Sequence, residues 1–166
     1  SRRIIYQATL PNMTNFDKLG FRRATKADLV QIITLLSEDE LGKTREDSQN
    51  LENYAVAFLE ISADKNNFLA VVELENEVIG TCHLTLMPSL TMQGSKRMNI
   101  EAVRVKGSFR NQKIGQWMID RAAQFAKENK VKIIQLTTNK ERQNARRFYE
   151  NLGFVASHEG MKLNVK

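Results

Sequence analysis

The chain has 166 residues, 42% hydrophobic and 27% charged, a globular composition that argues against disorder and fits one compact domain. A net charge of +6 favours anionic ligands, yet the basic residues are spread along the chain without interleaved exposed aromatics, which argues against nucleic acid as the partner. No apolar run reaches the length of a membrane span, and Ser1-Arg2-Arg3-Ile4-Ile5 is followed by polar residues, so no membrane partner and a cytoplasmic location are expected.

Residues 1–19 carry Pro11, Asn12 and Asn15 without a sustained period and read as an irregular arm or a poorly formed first strand, ahead of a single domain over 20–166. Gly20 to Ala24 reads as a short strand. Thr25 follows at a helix N-cap position with Asp28 three residues on, and Leu29, Ile32, Ile33 and Leu36 then recur at i, i+3, i+4 and i+7, predicting a core-facing helix. Ser37 to Asp47 is acidic, turn-rich and aperiodic. A second helix is predicted over Leu51 to Ile61, with Tyr54, Ala55, Phe58 and Leu59 on one face. Phe68–Leu74 and Val78–Leu86 read as two strands of a hairpin turning at Glu75-Asn76-Glu77. In the second of these, Cys82 reads as a small core residue rather than a reactive thiol. His83 reads as a strand residue satisfied by a neighbour, with a catalytic base as the other reading. Two histidines and one cysteine, widely scattered, predict no metal site.

After a loop over Pro88 to Arg97, the run from Met98 to Val105 is strand-like, and Lys106 to Lys113 is a polar loop. Ile114, Trp117, Met118, Ala122, Phe125 and Ala126 then form the stripe of a helix ending near Asn129. Val131–Thr137 is the next strand, which makes a βαβ unit with parallel strands. Ala145, Phe148, Tyr149 and Leu152 mark a further helix stopped by Gly153. Phe154–Ser157 and Met161–Val165 are predicted to close the fold as a hairpin through His158-Glu159-Gly160. The strand-loop-helix passage places Arg110, Lys113 and Gly115 where the first N–H groups of a helix lack partners, an arrangement suited to a pyrophosphate.

Arg110-Asn111-Gln112-Lys113-Ile114-Gly115 resembles the acetyl-CoA loop of the GNAT superfamily N-acetyltransferases, Q/R-x-x-G-x-G/A, with Lys113 in place of the first glycine. Asn144 to Phe154, with Phe148-Tyr149 and Gly153-Phe154, resembles the second signature of the same superfamily at its usual distance downstream. The resemblance implies an α+β fold with helices layered on a mixed, mostly antiparallel sheet splayed between strands 4 and 5. It implies acetyl-CoA as cosubstrate, with main-chain groups of Val103, Arg104 and Val105 along the pantetheine. Arg110, Asn111, Gln112, Lys113, Ile114, Gly115 and Gln116 would wrap the pyrophosphate, and Asn144 would bond the arm from the other side.

The implied activity is direct acetyl transfer to a primary amine of a small molecule or peptide in a ternary complex, without a metal. Glu101, expected on the same side of its strand as Val103, is the candidate base, and a carboxylate merely paired with Arg104 or Arg97 is its bland alternative. Tyr149 matches the family's proton donor to the departing thiolate, packing being its alternative. By the same resemblance, carboxylates between Glu38 and Glu46 are candidates for holding a cationic acceptor. Family members often pair as dimers, which leaves a homodimer open. A catalytically silent acyl-CoA-binding regulatory domain is the rival reading.

Overall fold

A computed structural model describes residues 14–166, so most of the expected N-terminal arm lies outside the described residues. Five strands form one sheet in the order β1-β2-β3-β4-β5: β1 (Leu19–Arg23), β2 (Asn67–Leu74), β3 (Glu77–Met87), β4 (Arg97–Val105) and β5 (Ile133–Gln135). The first four pair antiparallel, and β5 runs parallel to β4, as the βαβ reading requires. β2 and β3 turn through Glu75 (φ 50°) and Asn76 (φ 67°), a two-residue left-handed turn whose twist matches the strands it joins.

Both faces of the sheet are covered. Ala70, Val72, Ile79, Cys82, Leu84, Met98 and Ile100 pack beneath Ile114, Met118, Ala122 and Ala126. Those four side chains belong to α4 (Ile114–Glu128), counted after α1 (Leu29–Ser37), α2 (Glu40–Arg45) and α3 (Leu51–Ala63) and before α5 (Gln143–Asn151). On the opposite face Val71 and Val78 meet Ile32 and Leu35 of α1 and Phe58 of α3. Adjacent residues such as Val71 and Val72 are therefore buried on opposite sides, which is why β2 reads as a continuous apolar run and not as an alternation. Cys82 lies wholly inside the first of these cores, and burial pushes its thiol up to about 12.

Four expectations need correction. The acidic stretch after α1 is not all loop, because Asp39 caps the short helix α2 by accepting from Gly42 N–H at 2.6 Å. The inward face of α3 is Tyr54, Ala55, Phe58 and Ile61, while Leu59 is exposed. β5 is three residues long, not seven. The closing hairpin is not formed: residues 154–166 carry no strand, and Met161, Leu163 and Val165 face solvent.

At the junction of β1 and α1, Arg22 grips the buried carboxylate of Asp28 through both terminal nitrogens at 2.7 and 2.9 Å, and its Nε donates to Glu73 at 2.6 Å. Thr25 N–H donates to the same Asp28 at 2.7 Å. Pairing with Arg22 holds the Asp28 carboxyl below its ordinary value of 3.8. Its contribution to stability is therefore complete above that value and lost as pH falls further, through the folded-state titration. Asp28→Asn is expected to cost about 1–3 kcal/mol at neutral pH and to flatten the decline in stability below pH 3.8, read by urea unfolding across pH. An acid limb of unchanged steepness in the variant would contradict the assignment.

Candidate active site

The site grows out of a defect in β4. Opposite β3, Glu101 pairs with His83 and Arg104 with Thr81, so Ala102 and Val103 together face the single residue Cys82. This is a bulge, and Ala102 takes a left-handed φ of 53° to accommodate it. The extra residue breaks the alternation expected along the strand. Glu101 lies across from His83 on the α1–α3 side, whereas Val103 and Val105 pack against the α4 core. Glu101 and Val103 thus occupy opposite faces, contrary to expectation.

Past the bulge β4 is open on its other edge. β5 pairs only with Arg97, Met98 and Asn99, and among the described residues nothing pairs with Ile100 to Val105 from that side. Lys106 N–H donates to Ile79 O at 2.7 Å, toward β3, so strand alternation turns the main-chain groups of Val105 and Val103 outward to the gap. Val103 O accepts from the Arg104 guanidinium at 2.9 Å. The loop that follows ends at the first turn of α4, with Asn111 at φ 61° and Lys113 at φ 62°. Lys113 thus stands where backbone freedom suits glycine best, as the N-cap of α4. Arg110, Asn111, Lys113 and Gln116 are exposed, Gln112 is half-buried with its side chain amide donating to Ser108 O, and Ile114 is buried in the core. Gly115 faces Phe148 of α5 so closely that a Cβ there would lie 3.2 Å from the ring edge.

α5 forms the far wall. Asn144 sits exposed in its first turn and accepts from Arg147 at 2.9 Å. Tyr149 is half-buried between Phe148 and Phe154, at ring distances of 5.1 and 5.6 Å. Burial raises its phenol above 10.0, against the opposing pull of Arg142 and Arg104, so the hydroxyl keeps its proton at neutral pH.

On the α1–α3 side, an apolar cavity of about 130 Å³ is lined by Ile33, Leu36, Tyr54, Phe58, His83 and Ala102, among others. His83 deserves more weight than its sequence position suggests. Asn67 Nδ2 donates to Asp64 at 2.9 Å, which fixes Asn67 Oδ1 as the acceptor facing His83 Nε2 at 2.6 Å. The imidazole proton therefore resides on Nε2, and Nδ1 presents a lone pair 3.7 Å from Glu101 Oε1. Burial lowers the His83 pKa below 6.5, with Glu101 pulling the other way, so the ring is neutral at pH 7. The reading of His83 as a strand residue satisfied by a neighbour holds for Nε2, which bonds to Asn67.

The carboxylates between Glu38 and Glu46 are largely engaged already. Asp39 pairs with Arg104 at 3.2 Å and Arg142 at 2.7 Å, joining α2 to both walls of the gap. Glu40 pairs with Lys43 at 3.0 Å, Glu46 accepts from Tyr54 at 2.6 Å, and Glu38 accepts from Gly107 N–H at 3.3 Å. Asp39 lay among the carboxylates expected to hold an acceptor, but its pairing with Arg142 was not legible, since 103 residues separate them and no motif contains either. Among the described residues no cluster of side chains could hold a metal ion, and no helix is long and apolar enough to cross a membrane.

Known structures share the overall fold of this chain. A structure from Bacillus halodurans C-125, described as a transcriptional regulator, is 44% identical, with a TM-score of 0.85 over 89% of this chain and 99% of that one. A predicted acetyltransferase from Clostridium acetobutylicum, solved with acetyl-CoA, is 21% identical with a TM-score of 0.70, covering 88% and 96%. Glucosamine-6-phosphate N-acetyltransferase from Arabidopsis thaliana is 19% identical with a TM-score of 0.71, covering 89% and 99%, a likeness of fold. No curated protein sequence matches the chain. The sequence pattern of the Acetyltransferase (GNAT) family spans residues 29–154, which takes in α1, the bulged strand, the loop and α5, and on that match the chain belongs to the GNAT acetyltransferase family.

Proposed function

We propose that the protein transfers an acetyl group from acetyl-CoA to a primary amine by direct attack in a ternary complex. The observation that carries this reading is the gap between β4 and β5, lined by outward main-chain groups of Val103 and Val105 and ending at the amides that open α4. Those groups fit an extended amide-bearing arm with an anionic tail. Bound there, acetyl-CoA supplies an activated acyl group.

Val103, Arg104 and Val105 line the arm, Asn144 faces it from α5, and Arg110 to Gln116 surround the pyrophosphate with N–H groups and two cationic side chains. An amide near Val103 receives the charge that builds on the carbonyl oxygen during attack. An alkylammonium with pKa of about 10.4 must first lose a proton. Glu101 and His83 Nδ1, two adjacent acceptors beside the cavity, take it. Tyr149 donates to the leaving sulfur, its phenol kept protonated by burial.

The cavity beside that pair favours an amine carried on an aliphatic or aromatic group over a polycation, because its walls are apolar and the neighbouring carboxylates already have partners. Catalytic silence is the second reading, favoured by the description of the Bacillus halodurans protein as a transcriptional regulator. A CoA-release screen with acetyl-CoA separates the two. Turnover is expected, with aryl-alkyl and branched aliphatic amines preferred over polyamines and aminoglycosides; binding of acetyl-CoA without turnover of any amine would establish silence.

In the same assay Glu101→Gln and Tyr149→Phe are each expected to lower kcat by about 10²-fold, with little change in KM for acetyl-CoA. Unaltered kcat in both variants would show those side chains to be packing or paired. Lys113→Gly relieves a left-handed backbone and should raise stability by up to about 1 kcal/mol, while the lost charge weakens acetyl-CoA binding severalfold at low salt. Thermal unfolding with and without the cosubstrate reads both, and undiminished binding would remove Lys113 from the phosphate site.

A further inference from the structure

Around His83 the hydrogen bonds continue outward, through side chains that lie outside both signatures. Asn67 opens β2 and pairs with Thr85, while His83 pairs with Leu69 two residues on, so Asn67 and His83 are diagonal neighbours on one face of the sheet. Asn67 Oδ1 takes two donors there, His83 Nε2 at 2.6 Å and the Thr85 hydroxyl at 3.1 Å. Its amide nitrogen donates to Asp64 Oδ2 at 2.9 Å. Asp64 is the C-cap of α3, and its other oxygen accepts from Asn66 N–H at 2.8 Å, so both ends of that carboxylate are held.

The Asn67 amide has one consistent orientation. Turned over, it would set its carbonyl oxygen against the Asp64 carboxylate, two acceptors with no proton between them. Asp64 therefore sets the amide, and the amide sets the imidazole. The backbone of Asn67 is fixed as well, since its carbonyl accepts from Arg23 at 2.8 Å and its N–H donates to Asp64 O at 3.0 Å. Few other groups face His83. Tyr54 lines the same cavity from α3, and α1 presents only Leu29, Ile32, Ile33 and Leu36 to it. Among the described residues Glu101, from β4, is the one carboxylate that reaches the ring.

We propose that Asn67, held by Asp64, is a positioning residue for deprotonation of the acceptor amine: it confines the His83 proton to Nε2 and keeps Nδ1 open toward Glu101. This role rests on the acetyl-transfer reading and adds to it two residues that touch no reactant. When an N–H bond of the alkylammonium breaks, its proton passes to the Glu101–His83 pair, and the electron pair left on nitrogen attacks the thioester carbonyl. On Nδ1 that proton makes an imidazolium, whose Nε2–H keeps Asn67 Oδ1 as its acceptor throughout, so no partner has to rearrange. The proton then leaves to solvent by way of Glu101, whose side chain is 57% exposed.

His158→Gln leaves His83 as the only histidine, so that its ring can be read by long-range proton–nitrogen NMR without any substrate. In this parent protein a pyrrole-like Nε2 and a pyridine-like Nδ1 are expected at about pH 8, above the titration of the ring. Asn67→Ala should draw the two nitrogen signals together as the tautomers mix. It should also lower kcat about tenfold with KM for acetyl-CoA unchanged, because some molecules lose the lone pair at Nδ1 and the imidazolium loses its acceptor. The exchanged pair, Asp64→Asn with Asn67→Asp, still sets one amide against one carboxylate and returns an acceptor to Nε2. It is expected to restore the tautomer and most of kcat. The fall of kcat on acidification should then move to higher pH, because a carboxylate beside Nε2 stabilises the imidazolium. A proton on Nδ1 in the parent protein, or loss of the tautomer and of kcat one without the other in Asn67→Ala, would overturn the positioning role alone. Absence of turnover in a parent protein that shows the expected tautomer would defeat the acetyl-transfer reading, and the positioning role with it.

Discussion

The constraint on which this structure turns is that β4 and β5 pair through three residues and then part. A parallel sheet normally continues as far as its strands allow, because each residue left out forfeits its ladder hydrogen bonds. Here pairing stops at Asn99, the bulge at Ala102 follows just beyond it, and the loop to α4 departs from the same end. The main-chain groups left without a partner strand are concentrated in one cleft, where a ligand with its own amides can meet them. The cost of an open ladder and the capacity to bind are one feature seen from two sides.

Asp39 ties one side of this cleft together. A single carboxylate caps α2 through Gly42 N–H and pairs with Arg104 from β4 and Arg142 from the entry to α5. Each contact alone has modest worth in partly wet surroundings, but together they join three elements far apart in sequence. They also neutralise the carboxylate, which in the proposed reaction leaves the nearby cavity to select by apolar contact and the proton to Glu101 and His83.

Most of the architecture was legible from periodicity. The stripe of Ile114, Met118, Ala122 and Ala126, and the paired apolar runs around Glu75-Asn76, correspond to local geometry that needs no tertiary information. The strand-to-helix junction proposed for the cofactor was legible as well, because its loop follows a β-branched apolar run and precedes the helical stripe. What escaped was set by distant contacts. α2 is too short to show a period and exists through its cap and the two arginines that meet it. The face of Glu101 was misassigned because one inserted residue reverses all alternation beyond it, and Ala102 carries no glycine to announce the left-handed backbone. The hairpin expected over Phe154 to Val165 is not formed, since alternation specifies an apolar face and not the partner strand that would have to cover it.

Burial of Cys82 beneath the bulge has a chemical corollary. It is the only sulfhydryl in the chain, it is sealed from solvent, and its deprotonation is pushed up to about 12. Electrophiles that seek thiolates find no exposed handle on the folded protein. A chromogenic disulfide added to a reaction mixture would colour only with mercaptans set free in solution, giving a continuous optical record without protein background.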